Sequence, residues 1–161
     1  GKKSDYETLL VLFKKEELHK EKNRLLAGLC MFSNPVLLKK TLSLIHTKEV
    51  RLQDRFRAYA VLLYNRETQV EMWEYLKIHW NEILSTYGET SHSLSRIVEY
   101  LDACVDEKMA KDIEKFFAKR AYPGIKRTLQ QTLEKITLHL ALKKKHQKAI
   151  GIWFQKNSFK K

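Results

Sequence analysis

Across residues 51–64 the apolar side chains Leu52, Phe56, Tyr59, Ala60 and Leu63 recur at i, i+4, i+7, i+8 and i+11. That is the period of one face of an α-helix. Arg51, Asp54, Arg55 and Arg57 avoid the stripe. The same period returns along the rest of the chain. Leu9, Leu10 and Phe13 mark a short helix over 5–13, and Leu18, Leu25, Leu29 and Phe32 face inward over 17–32. Leu38, Leu42 and Ile45 follow over 35–45, then Val70, Trp73, Leu76, Trp80 and Ile83 over 69–84. Leu94, Ile97, Val98 and Leu101 lie in 93–104, and Met109, Ile113, Phe116 and Phe117 follow Asp106. Ile125, Leu129, Leu133, Ile136 and Leu140 make a long final stripe, after which residues 150–154 read as a last turn or helix docked on the core.

Breaks between stripes are sharp and few. Asn34 can cap a helix with Pro35 in its first turn, Gly88 suits a helix stop, and Pro123-Gly124 interrupts the chain again. Five Gly and two Pro in 161 residues are too few for the turns of a sandwich or barrel. The pattern predicts an all-α fold of about eight or nine antiparallel helices. Pairs recur every 35–45 residues, which suits a curved, HEAT-like array. An irregular bundle is the alternative. Length favours one domain over residues 1–161.

The net charge of +12 is unevenly spread. Residues 126–161 hold ten Lys or Arg against Glu134 alone, so nine of those charges lie in the last helix and tail. Lys143, Lys144, Lys145 and Lys148 form a basic face within a basic terminal segment, 143–161. Such a face suits either solvent or an anionic partner. With Trp153, Phe154 and Phe159 nearby, RNA is one candidate, since aromatic rings stack on bases.

Cys30 and Cys104 stand apart inside apolar patterns, with no Cys/His ligand spacing. Buried free thiols are the expectation, and they suit a cytoplasmic, reducing compartment. No apolar run approaches the ~18 residues of a membrane span. His19, His46, His79, His92, His139 and His146 include no His-Glu-x-x-His pair, and no Gly-rich phosphate loop or Gly-x-Ser-x-Gly elbow occurs. The expectation is a chain with no cofactor and no catalytic residue of its own.

Several short motifs keep a fixed order. They are Glu21-Lys22-Asn23-Arg24-Leu25 leading to Leu29, Asn34-Pro35-Val36-Leu37-Leu38, and Val50-Arg51-Leu52-Gln53-Asp54. Asn65, Trp73-Glu74-Tyr75-Leu76-Lys77, Trp80 and Tyr87-Gly88 follow, then Glu114-Lys115-Phe116-Phe117 and residues 127–136. Together they resemble the C-terminal helical domain of the large zinc aminopeptidases, the family of aminopeptidase N, puromycin-sensitive aminopeptidase and the tricorn interacting factors. The chain departs from that pattern at Tyr64-Asn65-Arg66 and at Trp153-Phe154, where the family often ends on Trp-Leu.

The resemblance implies a non-catalytic segment whose parent carries the zinc. It implies packing on the parent's catalytic domain, helping to enclose a peptide chamber and control access and closure. Gln53, Asp54, Asn65 and Arg127 are the candidate polar contacts in that chamber or between helices. Gln53 and Asp54 sit where acids and amides serve a helix start. Arg127 suits an acid such as Asp54, or a peptide's carboxylate. The alternative function is a stand-alone helical-repeat module that uses its basic face for an anion such as RNA.

Overall fold

The computed structural model describes residues 1–120 and 122–157; Phe159, Lys160 and Lys161 lie outside the described residues. Within them the chain forms α1 (Lys3–Lys15), α2 (His19–Leu29), α3 (Pro35–Ile45), α4 (Leu52–Tyr64), α5 (Gln69–Tyr87), α6 (His92–Glu99), α7 (Glu107–Phe117) and α8 (Lys126–Asn157). A short 3-10 turn, Tyr100–Ala103, extends α6.

Helix ends follow local chemistry. The Asn34 carboxamide accepts from the backbone N–H groups of Val36 and Leu37, with Pro35 at the first helical position. Ser91 accepts from the N–H of Leu94, and Asp106 from that of Met109, so α6 and α7 each start on a side-chain cap. Gly88 ends α5 at φ +81°, a backbone state that costs L-residues but not glycine.

The helices stack by nearest neighbours. α2, α4, α6 and α8 lie side by side in a row, each against the next, while α1 packs on α2, α5 on α4 and α6, and α7 on α8. The Tyr6 hydroxyl meets Thr41 at 3.0 Å and ties α1 to α3. This is the helical-pair stacking of HEAT-like arrays, where each pair buries its apolar face on the adjacent pair.

Aromatic rings close the seam between α5 and α7. Trp73 and Trp80 are buried, with ring centroids 5.3 Å from Phe116 and 5.0 Å from Phe117 respectively. The Trp73 indole N–H donates to Asp112 at 2.8 Å, and Lys77 bonds the same carboxylate at 2.5 Å. The Trp80 indole nitrogen is buried and has no hydrogen-bond partner among the described residues. Cys30 and Cys104 are buried free thiols, and burial pushes Cys30 up to about 12.

Three inward assignments from periodicity are corrected. Leu18, Leu52 and Val70 are exposed. Leu18 and Leu52 sit at or before a first helical turn, where the helix has not yet met its neighbour. Beside Val70, Gln69 is buried instead, because its amide donates to the Leu63 carbonyl at 2.6 Å. The largest correction is at the C-terminus. Residues 150–154 form no separate docked turn. α8 runs on to Asn157, and every residue from 141 to 157 is exposed.

Candidate functional site

The row of even-numbered helices leaves a cleft of about 310 Å³ between α2 and α4. Lys20, Asn23 and Arg24 line one wall, Asp54, Arg57 and Val61 the other. Spacings of three and four residues put each trio on one helix face. Leu26 and Ala58, both buried, form the floor.

Charge in the cleft is unbalanced. Asp54 is buried, and its carboxylate accepts from the Arg51 guanidinium at 2.7 Å. Its negative charge is therefore already neutralised. Arg24 pairs with Glu21 at 3.1 Å across one helical turn. Lys20 and Arg57 have no carboxylate partner among the described residues; Arg57 lies 5.9 Å from the Phe56 ring centroid. The cleft can thus receive an anion without breaking an internal pair.

Elsewhere α4 carries a polar seam toward α3 and α5. His46 Nε2 lies 3.0 Å from the Tyr59 hydroxyl and 2.7 Å from the Tyr75 hydroxyl. Tyr75 stacks on His79 at 4.2 Å, and His79 meets Glu82 at 3.1 Å. Arg55 donates to the carbonyls of His46 and Thr47. Burial, then the Arg55 charge, lowers the His46 pKa, and burial pushes Tyr75 and Tyr87 up to about 12. The phenols therefore keep their protons, and the tautomer of His46 decides whether Nε2 accepts from one of them or donates to one.

The residues singled out in the sequence separate in space. Asp54 enters the cleft, though its partner is the Arg51 side chain rather than Arg127 or a backbone N–H. Gln53 is exposed on the first turn of α4. Asn65 caps the end of α4; its Oδ1 accepts from the Glu67 N–H at 3.1 Å and its Nδ2 donates to the Met31 carbonyl at 3.5 Å. Arg127 is exposed on the first turn of α8, outside the cleft lining. Lys143 donates to the Val105 carbonyl at 2.7 Å, while Lys144, Lys145 and Lys148 point to solvent, so the basic face divides. Lys20 and Arg57 were missed as site residues. Each lies on the polar flank of its own helix, and nothing local says that α2 and α4 are neighbours.

Among the described residues no group of three or more His, Cys, Asp or Glu could hold a metal ion. No helix there is long and apolar enough to cross a membrane. Stacked helical pairs with a charged cleft define the class, an all-α array that offers a surface. The ERAP1-like C-terminal domain family matches residues 1–138, and the chain belongs to that family. By that match it corresponds to the C-terminal domain of the aminopeptidases it resembles. Aminopeptidase M1 of Arabidopsis thaliana is 31% identical over 141 residues, covering 85% of this chain and 15% of that protein. Aminopeptidase M1-C of rice is 32% identical over 138 residues, with the same coverage. Human glutamyl aminopeptidase is 28% identical over 156 residues, covering 96% of this chain and 16% of that protein. The chain spans about 15% of the length of the relatives it matches.

Proposed function

We propose that this chain is the distal part of the C-terminal domain of a zinc aminopeptidase, that it packs on the catalytic domain, and that it helps enclose the peptide chamber and govern access and closure. Zinc and bond cleavage belong to the rest of the parent enzyme. The cationic cleft between α2 and α4 is the observation that carries this reading. A peptide held by its N-terminus at a distant catalytic centre presents its C-terminal carboxylate elsewhere. Lys20 and Arg57 offer that group charge-assisted hydrogen bonds. A volume of about 310 Å³ matches the small end of ligand sites, enough for a terminal residue rather than a whole peptide.

The test is the full-length enzyme carrying Lys20→Gln and Arg57→Gln. Hydrogen bonds to charged groups are worth about 1.5–3 kcal/mol, so KM for peptides with a free C-terminus should rise roughly 10-fold or more. Turnover of a single aminoacyl arylamide should not change. Equal KM shifts for free and amidated peptides would remove the carboxylate from the argument. The alternative, a basic module for RNA, rests on Lys144, Lys145 and Lys148 beside exposed Trp153 and Phe154. It requires binding that weakens steeply with salt and flattens when those lysines become Gln.

A further inference from the structure

The last 17 described residues of α8, 141–157, form an overhang whose side chains are all exposed. Their pattern is not that of a solvated tail. At 100° per residue, Leu142, Ala149, Ile150, Trp153 and Phe154 fall within one arc of about 140°, which also holds Lys143, His146 and Asn157. Lys144, Lys145 and Lys148 fall on the other side with Ile152, and Lys156 lies at the border. Ile150 and Phe154 continue, beyond Lys143 and Gln147, the direction in which Ile125, Leu129 and Ile136 are buried further back, so that face reaches past the body with no partner among the described residues. Below it lies a cleft of about 1060 Å³. Leu142, His146 and Ile150 of α8 form one wall, and Tyr64, Asp102 and Val105 the other.

We propose that this overhang and cleft are the surface on which the rest of the parent polypeptide docks. Its partner would be an apolar ridge flanked by carboxylates. The inference rests on the aminopeptidase reading and names where that assembly is made. Most of the length of the matching relatives lies outside the matched region, so in those proteins a large covalent partner stands beside it. The family match ends at residue 138, just where the side chains emerge into solvent. The match to human glutamyl aminopeptidase leaves uncovered a stretch shorter than the overhang, so the overhang has a counterpart inside a whole enzyme.

Charge argues against the other occupants. Two copies of a +12 chain would bring like-charged, lysine-bearing helices together. A flat bilayer could touch the tip of the helix but could not enter a cleft walled by the body. A protruding side chain of a protein can. The overhang also needs a partner to stay helical. Seventeen unsupported residues interrupted by Gly151 make a marginal helix in water.

Hydrogen exchange read by mass spectrometry on peptides from 141–157 tests this. Isolated chain 1–161 and the full-length enzyme are compared. At least 10-fold slower exchange is expected in the full-length enzyme. That protection should be lost in Ile150→Asp/Trp153→Asp, while exchange in 92–120 stays unchanged. Equal exchange in both proteins overturns the proposal. So does concentration-dependent dimerisation of the isolated chain that Ile150→Asp abolishes. Flotation of the isolated chain with phosphatidylserine vesicles, without protection in the enzyme, assigns the helix to lipid and overturns it as well. The KM test at Lys20 and Arg57 reads a different surface, so either idea can fail alone.

Discussion

Two tryptophan–phenylalanine clusters stand at opposite ends of the burial scale. Trp73 and Trp80 are 1% and 2% exposed, held edge-on by Phe116 and Phe117 between α5 and α7. Trp153 and Phe154 are 59% and 62% exposed, though they form the same edge-on pair at 5.2 Å. Aromatic content and ring geometry do not separate the two. What differs is whether a second helix lies opposite. α7 supplies the rings and the Asp112 carboxylate that accept the α5 face, whereas among the described residues no element stands opposite the end of α8.

The largest expected effect breaks that comparison at its buried end. Trp73→Ala or Trp80→Ala should each cost about 3–5 kcal/mol in chemical denaturation, the range for emptying a buried aromatic site. Trp80→Phe should cost less than Trp73→Phe, because the Trp80 N–H has no partner to lose whereas that of Trp73 bonds Asp112. Equal losses for the two Phe variants would show that the Asp112 bond contributes nothing.

Next comes the turn that launches α8. A Cβ on Gly124 would overlap the Glu89 carbonyl and crowd Thr90 Cα, both backbone atoms that cannot rotate away. The Ser95 hydroxyl also donates to the Gly124 carbonyl at 2.8 Å, tying this turn to α6. Gly124→Ala should therefore destabilise by about 1–3 kcal/mol, as overpacking does. A neutral result would mean the turn yields freely and does not aim α8 against α6.

A smaller effect is set by pH. His46 Nε2 lies within hydrogen-bond distance of the Tyr59 and Tyr75 hydroxyls, with Arg55, His79 and Glu82 around it. Burial and the Arg55 charge lower its pKa, so the folded protein binds that proton less readily than the unfolded chain. Its contribution is present above about pH 6.5, the ordinary histidine value, and is lost as pH falls through the lowered folded value. Thermal melts of the chain should drop as pH falls below about 6.5, and less so in His46→Gln. Parallel curves for the two proteins would locate the acid sensitivity elsewhere.

At the exposed end, Trp153→Ala in the isolated chain should change stability by no more than about 0.5 kcal/mol, as surface substitutions do. Ending the chain at Leu142 should move the melting temperature by about 1–2 °C, since it removes the Lys143 bond to Val105 and little else. In the full-length enzyme the same truncation should cost far more. A large loss in the isolated chain would erase the contrast between the two clusters.

Much of the array was readable in advance. Asn34-Pro35, Gly88 and Asp106 mark helix ends through bonds made within one turn, so each boundary is encoded where it occurs. Trp73 and Trp80 lie seven residues apart, a spacing that places them on one helical face in any fold. The cleft was not readable. It needs Lys20 and Arg57, 37 positions apart and brought together because α4 packs beside α2. Asp54 shows the same limit, since its place one turn into a helix suggested the backbone while its partner became the Arg51 side chain. α8 shows the reverse case. Its apolar stripe runs from Ile125 to Leu140, is interrupted by Lys143 and Gln147, and resumes at Ile150 and Phe154, so the sequence by itself determined a helix with an apolar face. Only tertiary structure decided where that face stops being covered. Periodicity is a property of one helix, but burial is a property of two surfaces, and the body beside α8 ends before the helix does.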